Sequence, residues 1–85
     1  MTQDALITDR PAIAPEAPVR LLDAAPSLWR VIDRSGRVIG HLQALAAGGD
    51  TRYRARRFHA ASKAFRELGD FWSAEDAIDC LRFAR

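Results

Sequence analysis

The sequence predicts an α+β fold: a small antiparallel β-meander of three or four strands packed against one C-terminal helix. Three observations predict it. Residues 28–43 hold two runs rich in β-branched and aromatic side chains, separated by Arg34-Ser35-Gly36. Residues 51–56 alternate arginine with small or aromatic side chains, the period of an extended chain. Residues 73–85 open on a serine and place apolar side chains three to four apart, the period of a helix.

The elements follow in chain order. Residues 1–27 contain all four prolines, Pro11, Pro15, Pro18 and Pro26, interleaved with alanines. Such a stretch buries too little apolar surface to offset its ordering entropy, so it reads as a disordered arm ahead of a domain spanning 28–85. Asp4 and Asp9 stand where a secretory leader needs a basic start and an apolar run. No apolar run reaches the roughly 20 residues that span a bilayer. A cytoplasmic protein is the expectation.

Leu28 to Asp33 and Arg37 to Gln43 read as the two strands of a hairpin. With Ser35-Gly36 as a two-residue loop, Arg34 faces Arg37, Ile32 faces Ile39, Arg30 faces His41 and Trp29 faces Leu42. That register gives one face Trp29, Val31, Val38, Gly40 and Leu42. The other face takes Arg30, Ile32, Arg34, Arg37, Ile39 and His41. Ala44 to Asp50 reads as a small-residue connection ending in Gly48-Gly49.

Residues 51–68 carry two patterns. As a strand, Arg52, Arg54 and Arg56 project from one side and Tyr53 and Ala55 from the other. As a helix, Ala55, Phe58, Ala61, Phe65 and Leu68 share a face. The strand is favoured through about residue 58, followed by a turn near 60–63 and a short fourth strand over 65–71. A bare hairpin would offer too little sheet for the aromatic residues present.

In the last element Ser73 is a good N-cap, with Glu75 and Asp76 at the positive end of the helix dipole. Ala74, Ala77, Ile78, Leu81 and Ala84 form its apolar stripe, with Cys80 beside it and Arg82 and Arg85 at the far end. The helix should lie across the Trp29, Val31, Leu42 and Tyr53 face, and Gly40 should make room there for a large ring. Trp29 reads as a core ring. Trp72 reads as a hydrophobic lid on the core, because a core this small needs large rings, with an exposed anchor for a partner as its alternative.

The order of hairpin, basic strand, Gly69-Asp70-Phe71-Trp72-Ser73 and capped helix resembles the arm-type DNA-binding domains at the amino termini of tyrosine recombinases. It is similar also to the related ethylene-response-factor domain. The likeness covers residues 28–84, with Trp29-Arg30-Val31 as first strand and Arg37-Val38-Ile39-Gly40 as second. It implies a sheet backed by one helix, whose open face enters the major groove of duplex DNA.

Charge points the same way. Residues 28–67 hold nine basic side chains against three acids, while the segments before and after carry more acids than bases. Arg30, Arg37, His41, Arg52, Arg54 and Arg56 are therefore the candidate nucleic-acid-binding residues, on one basic sheet face. The plain reading of that face is a solvated surface that arginine keeps from pairing at its edges. Ile32 and Ile39, interrupting it, suggest the alternative of protein–protein contact or homodimerisation. No nucleophile elbow, phosphate loop or paired-acid motif is present, so no enzyme and no cofactor are expected. One cysteine and two histidines make a poor metal set.

Overall fold

The computed structural model describes residues 10–83. They form an antiparallel five-stranded sheet in simple sequential order, β1 Val19–Ala25, β2 Leu28–Asp33, β3 Val38–Ala47, β4 Asp50–His59 and β5 Ala64–Phe71, followed by one helix, α1 Ala74–Phe83. The α+β class and the C-terminal helix stand as the sequence predicts. The sheet is larger than the three or four strands expected.

The extra strand is β1, inside the stretch read as a disordered arm. Its prolines lie outside it, Pro18 just before and Pro26 in the turn to β2, where no ladder hydrogen bond is lost. Between them Val19 and Leu21 alternate with exposed Arg20 and Leu22 and enter the core. Residues 10–18 also pack: Ile13 rests against the core, the Ala14 amide donates to Glu75 on α1 at 3.3 Å, and Arg10 pairs with Asp23 at 2.8 Å. The expectation of an arm is thus corrected from residue 10 onward, and its first nine residues lie outside the described ones.

The β2–β3 hairpin keeps Trp29 opposite Leu42 and Arg30 opposite His41, but its loop is Arg34-Ser35-Gly36, not Ser35-Gly36. The Asp33 carboxylate sets this loop by accepting bonds from the Ser35 amide, the Ser35 hydroxyl and the Arg37 amide at 2.9, 2.6 and 3.0 Å. The extra loop residue is absorbed by a bulge at Ile39, so Ile32 faces Val38. This corrects the facing near the turn. Val38 is half exposed, Ile39 packs against the core and Ile32 is 5% exposed, so the two isoleucines do not form the open apolar patch expected of them.

Residues 44–47 extend β3, and only Gly48-Gly49 turns the chain into β4. Both glycines have positive φ, the requirement of the tight two-residue hairpin whose twist matches its strands. Residues 51–57 are extended, the turn falls at 60–63, and β5 covers the expected fourth strand.

In α1 the Ser73 hydroxyl caps the Asp76 amide at 3.1 Å, and Ala74, Ala77, Ile78 and Leu81 are buried. Ala84 and Arg85 lie outside the described residues. The helix rests on β3, β4 and β5, over a core that includes Trp29, Val31, Leu42 and Ala55. A Cβ on Gly40 would lie 2.6 Å from the Leu81 side chain and 2.5 Å from the Arg56 carbonyl oxygen. The glycine therefore admits an aliphatic side chain and a neighbouring backbone, not the large ring expected.

Candidate nucleic-acid interface

Strand alternation decides which side chains reach the face opposite α1. On β4, Ala55 points into the core, so Arg52, Arg54 and Arg56 point away from it. Register then lines up their neighbours. One row runs Leu22, Arg30, His41, Arg56 and Glu67 across all five strands. The next runs Leu28, Gln43, Arg54 and Asp70. Five of the six expected residues thus share one face. Arg37 does not; it lies at the exposed tip of the β2–β3 hairpin, where the three-residue loop and the bulge detach it from the rows. Arg20, outside the six expected residues, joins the face from β1.

Two acids on β5 belong to the same face. Asp70 holds Arg54 in a two-point grip, 2.7 Å to Nε and 3.1 Å to an outer nitrogen, and Glu67 approaches it at 3.6 Å. The bond to Arg54 holds the Asp70 carboxyl below its ordinary range, and Asp70 in turn raises Arg54. Neither acid was foreseen: the bulge between β4 and β5 turns Glu67 to this face, and Asp70 meets Arg54 through the register of that pair. Against these two carboxylates stand the guanidiniums of Arg20, Arg30, Arg52, Arg54 and Arg56, which leaves the face basic. The Nε atoms of Arg52 and Arg56 are shielded from solvent with no hydrogen-bond partner among the described residues. An unmet donor of that kind favours any acceptor that reaches it.

His41 lies between Arg30 and Arg56. Partial burial, and then those two cations, push its pKa below the usual histidine value of 6.5, so the imidazole is neutral at pH 7. It stacks on Phe65 with ring centres 4.4 Å apart. Phe65 also meets Phe58 edge-on at 5.3 Å, and the Arg56 guanidinium stands 5.4 Å from its centre.

At the other end of β4, the Arg52 guanidinium lies 4.3 Å over the Trp72 ring and donates to the Asp70 carbonyl at 3.0 Å. Trp72 is 64% exposed, which corrects its assignment to the core: Phe71 points inward, so its successor points out. Phe58 and Phe65 are exposed as well, at 47% and 39%. Period-2 counting from Phe71 and from Ala55 was the available signal for Trp72 and Phe58; for Phe65 it fails, because the bulge between β4 and β5 shifts the count by one.

Among the described residues no three His, Cys, Asp or Glu side chains gather as metal ligands, and no helix is long and apolar enough to cross a membrane. No protein-family model matches the chain, and no curated protein or solved structure matches it.

Proposed function

We propose that this domain is a non-enzymatic nucleic-acid-binding module whose contact surface is the sheet face opposite α1. The observation that carries this reading is the convergence of Arg30, Arg52, Arg54 and Arg56 with His41 on a face that α1 leaves open. Guanidiniums are donors to phosphate oxygens in a fixed fork, and a row of them tracks a polyanion without a preformed pocket. Glu67 and Asp70 lower the charge at one edge and fix Arg54 in place. Arg20 and Arg30, both exposed, extend the basic surface toward β1.

Affinity for mixed-sequence DNA should fall steeply with salt, because each neutralised phosphate releases a counterion. Arg30→Ala with Arg56→Ala should weaken binding and reduce the slope of log K against log salt by about 0.7–0.9 for each phosphate no longer neutralised. Fluorescence anisotropy across a salt series checks this. An unchanged slope would remove the face from consideration.

A second reading, association with another protein chain, draws support from β5, which pairs on one side only. Ile32, which is 5% exposed, and Ile39, which is partly buried against the core, offer it no open apolar patch. Light scattering at high concentration separates a homodimer from a monomer.

A further inference from the structure

Resting on the nucleic-acid reading, we infer that the strand this face takes is single: it holds unpaired bases by stacking, on Trp72 at one end of β4 and on Phe65 with Phe58 at the other. Three observations lead there.

The first is width. Five strands at about 4.8 Å spacing make a sheet some 19 Å across before side chains are added. The major groove of B-DNA is about 12 Å wide, enough for a helix or a two-stranded ribbon. A sheet enlarged by β1 and β5 is too broad to enter it flat. A flexible single strand faces no such limit and can lie across the strands.

The second is the composition of the face. A duplex buries the flat surfaces of its bases and offers phosphates and groove edges, which arginines alone can engage. Here the guanidiniums alternate with exposed rings, and each ring cluster has its own cation: Arg52 over Trp72, Arg56 over Phe65. Exposed aromatic rings beside phosphate-binding arginines are the two parts that single-strand recognition requires. Every base has a π-face to stack, and the backbone remains a polyanion. Apolar rings left in water beside charged groups have no comparable use on a duplex backbone.

The third is spacing. Arg52 and Arg56 are four residues apart on one strand, so the two clusters stand about 13 Å apart. Arg54, fixed by Asp70, lies between them. Bases can occupy the two ends while the intervening phosphates pass over Arg54. The interactions proposed involve bases and phosphates only, so deoxyribose and ribose strands are both accommodated.

The test uses the full chain with short labelled oligo(dT), oligo(U) and a mixed-sequence duplex in a salt series. Both single strands should bind at least tenfold more tightly than the duplex. Trp72→Leu and Phe65→Leu each keep the charge and alter exposed side chains. Each should weaken single-strand binding by roughly 5- to 100-fold and duplex binding by far less, since a duplex keeps its bases stacked on one another. Binding should also quench the emission of exposed Trp72, in contrast to Trp29, which is 2% exposed.

Failure takes two separate forms. If duplex and single strands bind alike and both leucine variants bind as the parent does, stacking is wrong while the basic face survives. If no nucleic acid binds even at low salt, with the fold intact by circular dichroism, the nucleic-acid reading falls and this inference with it.

Discussion

His41 sits between two guanidiniums and against a phenylalanine ring, and its titration reports on the face it occupies. Its folded pKa is lowered, first by burial and then by Arg30 and Arg56. As pH falls, the unfolded chain therefore takes up this proton before the folded one does. Stability is full above pH 6.5, declines as pH drops through 6.5 toward the folded value, and loses nothing more from this residue below it. Urea midpoints measured between about pH 8 and 5 should show the decline, and His41→Gln should flatten it. Arg30→Ala should flatten it in part, since one of the two cations opposing the proton is then gone. Asp70 acts in a lower range: its lowered pKa gives stability present above 3.8 and lost as pH falls through the folded value. The two effects are separable by pH alone.

Among the elements, α1 and β3 depend on the absence of a side chain at Gly40. Gly40→Ala would force a Cβ against the Arg56 carbonyl oxygen and the Leu81 side chain. Leu81 can move, but a backbone oxygen in a paired strand cannot move far. The substitution should cost about 1–3 kcal/mol. Adding Leu81→Ala should fail to restore the loss, because the backbone clash remains; urea denaturation of the single and double variants checks both. The sequence marked Gly40 as a point of close approach but misjudged what approaches. Which side chain of a helix lands on a given strand position depends on the helix's angle and translation, which its own periodicity leaves free. The hairpin turns show the same division. Gly48-Gly49 announces a tight turn locally, whereas the three-residue turn at 34–36 is chosen by Asp33, and its effect on register is undone by a bulge at Ile39.

For the molecule as a whole, β1 is the element that most enlarges the fold beyond expectation. A chain beginning at Leu28 lacks Val19 and Leu21 and leaves the edge of β2 unpaired, with Trp29 and Val31 partly uncovered. Losing two buried aliphatic side chains costs about 2–5 kcal/mol each, comparable to the whole stability of a small domain. Such a truncation should show no cooperative urea transition, whereas the full chain should show one. By itself the sequence determined the α+β class, the capped C-terminal helix and the alternation that sets arginines on one side of β4 once residues 51–57, which also fit a helix, are extended. These depend on spacing and capping between near neighbours, which are written in the chain. Only the tertiary structure decided that a proline-bounded segment becomes a strand, that Trp72 faces outward and that Ile32 and Ile39 are covered. It also decided that Glu67 and Asp70 join the basic face while Arg37 does not. Each of those outcomes depends on bulges and on partners distant in sequence, and a single inserted residue in a ladder reverses which face every later side chain takes.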